Sequence, residues 1–341
     1  METLNPALML KVPQLKVYSF LPSATEMVYA LGLGAQLYGV TNECDYPPEA
    51  KSKPVVVQSL LDPSSMTQGE IDWRVVNDIS HGHGLYRINR DLLLKDKPDV
   101  VITQELCDVC SVSLRDVLKT VSELANECEV ISLEPHGLEG VLEDIVTVGS
   151  ACGVEGRAAV LAESLRARID SVRDLARGLP RKRVFCAEWY DPLFAPGHWI
   201  PEMVDIAGGI EVAGRPGEDS RKVGWSEVAA RDPEVVVLIP CGFGVERAVS
   251  DVGLLTRLEG WTDVAAVRSG EVYAADGSSY FSRPGPRLVD GLEMLAKMIH
   301  PEVFGWDLPP AKAVRLGLGF DRPAMTPGPE RGASARRSLP I

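Results

Sequence analysis

The sequence predicts an α/β protein of two Rossmann-like lobes, each built on a parallel sheet, joined by one long helix. Three features carry that prediction. Short apolar runs rich in β-branched residues alternate with amphipathic stretches along the chain. Between Gly156 and Gly178 neither Gly nor Pro occurs, while Leu161, Leu165, Ile169, Val172 and Leu175 recur at helical spacing. Finally, the halves share a phrase, in which Lys97-Pro98-Asp99 and Asp232-Pro233-Glu234 each lead into an apolar strand.

In chain order, the strands of the first half are Val17–Phe20, Leu37–Val40, Val100–Thr103 and Val130–Leu133. A helix opens at Pro22-Ser23-Ala24-Thr25-Glu26, where Ser23 and Glu26 have capping-box spacing. Another is expected over about Val112 to Ala125. The central helix spans roughly 30 Å at 1.5 Å per residue and stops at Gly178-Leu179-Pro180. Val184–Ala187, Val235–Ile239 and Val272–Ala274 are strands of the second half. The expected division is an N-terminal lobe over 1–150, a connecting helix over 151–180, a C-terminal lobe over 181–309 and a disordered tail over 310–341. Continuous apolar strands alternating with helices mean parallel sheets covered on both faces, and two such sheets joined by one helix leave a cleft between them.

The formal net charge of −13 opposes binding to nucleic acid or to an anionic membrane. No segment approaches the roughly 20 apolar residues of a membrane span. The first residues, Met1-Glu2-Thr3-Leu4-Asn5-Pro6, lack a basic region, and the apolar stretch after them is short. A cytoplasmic location is therefore expected. The odd number of cysteines, seven, agrees with a reducing compartment.

Ligands of open parallel sheets bind beyond the carboxyl ends of the strands, so the loops there carry most weight. Cys44, Cys107, Cys110 and Cys241 lie in such loops. Cys107-x-x-Cys110 has the spacing of a metal knuckle or redox pair, and Cys44 could join it. Two small residues at a helix start are the bland alternative. His81-Gly82-His83 reads as a solvated loop. His198, in Pro196-Gly197-His198-Trp199, is the better metal-ligand candidate, weighed against a hydrogen-bonded structural histidine. Although only 6% of residues are aromatic, Trp189, Tyr190, Phe194, Trp199, Tyr280 and Phe281 cluster in two post-strand loops. Aromatic walls suit a large flat ligand. Ordinary loop packing would also account for them. There is no Walker A sequence and no Gly-x-Ser-x-Gly elbow. Glu188 and Asp191 have no partner that would define a reaction.

Phe20-Leu21-Pro22-Ser23-Ala24-Thr25-Glu26, Gly39-Val40-Thr41, Asp45-Tyr46-Pro47-Pro48-Glu49-Ala50, Lys97–Ile102, Asp191–Phe194 and Arg283-Pro284-Gly285-Pro286-Arg287 resemble the helical-backbone (class III) periplasmic-type substrate-binding proteins. The resemblance is strongest to their cobalamin-binding branch and runs over about residues 15–300. It implies non-catalytic binding of a corrinoid between the lobes. Trp189, Trp199, Tyr280 and Phe281 would wall the ligand, and Glu43, Gln104, Glu105 and Glu188 would bond its amide rim. Cys44, Cys107, Cys110 or His198 would reach a metal. The family's importer members dock a permease through one carboxylate per lobe. Asp91 stands at the first such position, while Ser226, with Glu227 beside it, stands at the second. An incomplete pair and no leader favour a cytoplasmic carrier or sequestering protein over an ABC-type receptor. Other readings stay open: a metal or iron–sulfur protein using Cys44, Cys107 and Cys110; haem or ferric-siderophore binding; or a tetrapyrrole-modifying enzyme with Glu188 or His198 as acid–base group.

Overall fold

A computed structural model describes residues 14–81, 84–104, 114–124 and 127–317. The first half runs β1 (Val17–Ser19), α1 (Pro22–Ala30), β2 (Leu37–Thr41), β3 (Val55–Ser59), α2 (Gln68–Ser80), β4 (Tyr86–Ile88), α3 (Arg90–Asp96), β5 (Val100–Thr103), α4 (Leu114–Val121), β6 (Glu129–Ser132) and α5 (Leu138–Ala151). The long helix α6 (Glu155–Ala176) follows. The second half runs β7 (Lys182–Ala187), β8 (Trp189–Tyr190), β9 (Leu193–Ala195), α7 (Ile200–Ile206), β10 (Gly209–Glu211), β11 (Arg221–Lys222), α8 (Trp225–Ala229), β12 (Val235–Leu238) and α9 (Val245–Ser250), then α10 (Ala265–Ser269), β13 (Val272–Ala275), α11 (Gly277–Tyr280), α12 (Leu288–Ile299) and β14 (Ala313–Leu316).

The sheet orders are β4-β3-β2-β1-β5-β6 and β10-β7-β12-β13-β14, with a small antiparallel sheet β11-β9-β8 beyond the end of β7. Both large sheets are parallel inside, as expected, but each ends on an antiparallel edge, β4 on β3 and β14 on β13. Ala313–Leu316 therefore forms a strand within the stretch expected to be a disordered tail, and residues beyond 317 lie outside those described.

Packing divides into three layers of core. One covers the outer face of the first sheet (Tyr18, Phe20, Val57, Val101) and another the outer face of the second (Phe185, Val236, Leu238, Trp261). The largest runs between the sheets and draws Met27, Ile145, Leu165, Ile169, Met203 and Leu295 from α1, α5, α6, α7 and α12. The lobes thus share one continuous core along α6. Arg168 of α6 reinforces it by reaching Asp290 and Glu293 of α12 at 2.6 and 2.7 Å. At the start of α1, Leu21 takes the N-cap position and Pro22 the first turn, so Ser23 is inside the helix rather than capping it.

The α5–α6 contact is close enough to test. A Cβ on Gly149 would stand 2.2 Å from Ala158 Cβ, whereas one on exposed Gly156 would meet nothing within 4 Å. Gly149→Ala is expected to lower stability by about 1–2 kcal/mol, because the helices must part. Gly156→Ala should raise it by about 0.5 kcal/mol through helix propensity. Denaturant unfolding of both variants checks the opposite signs.

Candidate functional site

The carboxyl ends of the two sheets face each other. Arg283, in the loop between α11 and α12, donates to the Glu43 carbonyl at 3.2 Å and to the Asp45 carboxylate, both in the loop after β2. The facing loops enclose the cleft that the sequence predicts.

One side of that cleft is pinned by a buried charge cluster. Glu26 of α1 has a side chain only 2% exposed. Arg287 Nε and Nη2 donate to it at 2.8 and 2.5 Å, and Arg283 lies 3.5 Å away. The Arg287 guanidinium also covers the Tyr46 ring at 4.0 Å. Though burial works the other way, Arg283 and Arg287 together hold the Asp45 carboxyl below the usual carboxylate range. At the floor, the Leu138 amide donates to Glu202 Oε2 across the lobes at 2.8 Å. There the rings of His136 and His198 come within 6.5 Å of each other. The other side is bridged by the start of α2, whose Gln68 side chain accepts from the Tyr190 amide at 2.8 Å.

The predicted site residues do not all reach the cleft. Glu188, just past β7, is held beneath its wall and accepts from the Ser220 hydroxyl. Burial pushes its pKa up to about 7, against the Ser220 and Gly197 donors and with help from the Glu211 charge. Glu211 is likewise pushed to about 7 by burial, although the amides of Cys186, Ala213 and Gly214 donate to it. Burial raises Glu43 as well, with Arg283 opposing. Gln104 is buried at the end of β5. Trp189 stacks on Phe243 at 5.4 Å, and Tyr280 lies between Arg287 and Lys312 at 5.5 and 5.0 Å. His198 adopts φ +50°, its Nδ1 is buried without a hydrogen-bond partner, and burial lowers its pKa. Its imidazole is therefore neutral near pH 7, the form that ligates metals.

Three expectations are corrected. Trp199 and Phe281 belong to the central core, where the Trp199 indole donates to the Phe281 carbonyl at 2.7 Å, so they do not wall a ligand. Cys44 is 4% exposed and lies against the Thr25 and Thr41 hydroxyls at 3.1 and 3.3 Å; burial pushes its thiol up, away from the thiolate a metal needs. Among the described residues no group of three or more His, Cys, Asp or Glu side chains could hold a metal ion. Glu105, Cys107, Cys110 and His83 lie outside the described residues, while His81 ends α2 with its ring on the Asn77 carbonyl. Asp91 and Ser226 are exposed, and Glu227 pairs with Arg221. Sequence reasoning missed Glu26, Tyr46, Gln68 and Ser220 as cleft residues. Arg283 and Arg287 did carry a signal, two arginines four apart in a post-strand loop beside three acidic positions of the other lobe.

The family model for periplasmic binding proteins matches residues 19–278. An uncharacterised ABC transporter substrate-binding lipoprotein of Bacillus subtilis is 26% identical over 88% of this chain and 84% of its own length. A vitamin B12-binding protein of Vibrio cholerae is 26% identical over 86% of this chain and 92% of its own. A periplasmic heme-binding protein of Pseudomonas aeruginosa has the same fold, with a TM-score of 0.65 at 22% identity, covering 89% of this chain and 99% of its own. These findings overturn the expected cytoplasmic location, since the family and these relatives are periplasmic proteins or lipoproteins. That expectation rested on the composition of the first residues, which lie outside those described, on the cysteine count and on the incomplete carboxylate pair.

Two predictions follow from the buried charges. Glu188, Glu211 and Asp144, all pushed to about 7, bind more protons in the fold than in the unfolded chain between their ordinary values and pH 7. Their stabilising contribution is complete below about pH 4 and is lost as pH rises through 7. Thermal melting should therefore fall from pH 5 to pH 8, with Glu188→Gln removing about 2 kcal/mol of that slope. In the pinned cluster, Arg287→Met should cost about 3 kcal/mol by stranding Glu26, and adding Glu26→Gln should recover much of the loss. Urea unfolding of the double-mutant cycle measures this.

Proposed function

This chain belongs to the periplasmic binding protein family, and on that footing we propose that it binds a corrinoid between its lobes as the solute receptor of an ABC-type importer. The charge inventory of the cleft carries this reading. Its arginines already have protein carboxylates: Arg283 has Asp45, Arg287 has Glu26, and Arg247 has Asp251. Lys222 at the rim is paired with Asp72. A ligand bearing carboxylates, as haem does, would compete with these pairs. A corrinoid presents a rim of neutral amides, which hydrogen-bond to carboxylates and carboxamides without a counter-charge.

In this reading Glu43, Gln104 and Glu105 accept from the amide rim. Trp189 and Tyr280 cover the faces of the ring, and Glu188, held beneath the wall by the Ser220 hydroxyl, supports the loop that carries Trp189. His198 is the proposed group toward the metal, which the ligand itself brings. The cobalamin-binding relatives support the ligand class, and Asp91 and Glu227 are the proposed contacts to a permease.

Titration with hydroxocobalamin, followed by visible spectrum and by calorimetry beside a parallel haemin titration, tests the proposal. A saturable one-to-one transition is expected, weakened about tenfold by Gln104→Ala. No heat and no spectral change, or tighter binding of haemin, would remove the corrinoid reading.

A further inference from the structure

We propose that the first turn of α2 is a latch across the cleft and that Gln68 is the positioning residue that sets how fast the cleft opens. Although Gln68 is polar, it is 0% exposed, and both polar atoms of its side chain bond to the second lobe. Its Nε2 donates to Asp251 at 2.9 Å, its Oε1 accepts from the Tyr190 amide at 2.8 Å, and its carbonyl accepts from the Trp189 indole at 3.3 Å. Arg247 donates to the Met66 carbonyl at 2.7 Å, and Lys222 reaches Asp72 at 3.0 Å. A Cβ on Gly69 would come within 2.8 Å of the Asp191 carboxylate, so the helix rests directly on the loop after β8.

The same helix is weakly held by its own lobe. Of its 13 residues only Gln68 and Ile71 are buried, and none belongs to the three cores. Trp73 is 65% exposed and Val76 53%. The flanking strands β3 and β4 pair directly, Val57 opposite Ile88, so α2 is an excursion that the first sheet does not need. A segment with few apolar contacts to its own lobe and several polar bonds to the other can swing without unfolding either. The Glu26 cluster and the shared core restrain the opposite side, leaving α2 as the side that opens.

Hydrogen–deuterium exchange on the full chain without ligand tests the latch through two unlike variants. Gln68→Ala removes the two side-chain bonds to Asp251 and the Tyr190 amide, and Gly69→Val wedges the contact with its polar groups intact. Both are expected to raise exchange of the α2 amides and of Tyr190 roughly tenfold while α5 and α6 keep their protection. Unchanged exchange in both variants, or a rise spread equally through α5 and α6, would overturn the proposal. A second arm rests on the corrinoid reading: hydroxocobalamin association and dissociation should both speed up about tenfold, with Kd changed by less than about threefold. Loosened latch amides with unchanged rates would overturn the role in ligand exchange. Absence of hydroxocobalamin binding would defeat the ligand reading alone, because the exchange arm decides the latch without it.

Discussion

A buried carboxylate can stay charged only while its counter-charges stay with it, and Glu26 draws its counter-charges from the other lobe. Arg287 binds it through two nitrogens, and Arg283 spans from it to Asp45. Removing either partner strands a charge in a site that water barely reaches, a far larger penalty than the intact cluster's net gain. The cluster therefore fixes how the lobes face each other more than it adds stability. The continuous core along α6 works in the same direction, since separating the lobes there would expose Ile169 and Leu295 as well. Movement is left to the side where the contacts are polar, at α2.

The same charge logic sets the chemistry of the cleft. Its arginines are engaged internally, and two acids buried beneath its wall, Glu188 and Glu211, are raised to about 7 by burial. Such a lining discriminates by hydrogen bonding rather than by net charge. In the proposed reading it suits a ligand that offers many neutral donors and acceptors and resists one that must bring carboxylates. The chain's net charge of −13 acts in the same sense at longer range.

The sequence made β1, β5, β12 and the Val184–Ala187 part of β7 readable because they are buried on both faces and so form largely apolar runs. The antiparallel edge strands escaped for the same reason in reverse: Tyr86-Arg87-Ile88 and Ala313-Val314-Arg315-Leu316 meet solvent and interleave arginine with apolar residues. The long helix was readable from periodicity. Burial depth was not, because Trp199 and Phe281 look like Trp189 and Tyr280 in one dimension and separate only once the core packs around the first pair. Cys44 shares its loop with Glu43 but points into the Thr25–Thr41 hydroxyls, a choice no spacing rule reveals. Glu26 was read as half of a capping box and is instead the centre of the interlobe cluster, since its partners lie more than 250 residues away. Compartment was misread because it was inferred from the composition of the first residues and from a cysteine count, neither of which reports where a protein is exported.

In the proposed function a cobalt-bearing ligand sits between the two sets of post-strand loops. Anomalous diffraction at the cobalt edge, on crystals grown with hydroxocobalamin, tests it most directly. A single cobalt peak is expected in the cleft between the loops that carry Gln104 and Glu188. A protein crystal with no cobalt peak, or with cobalt only on the outer surface of a lobe, would contradict it.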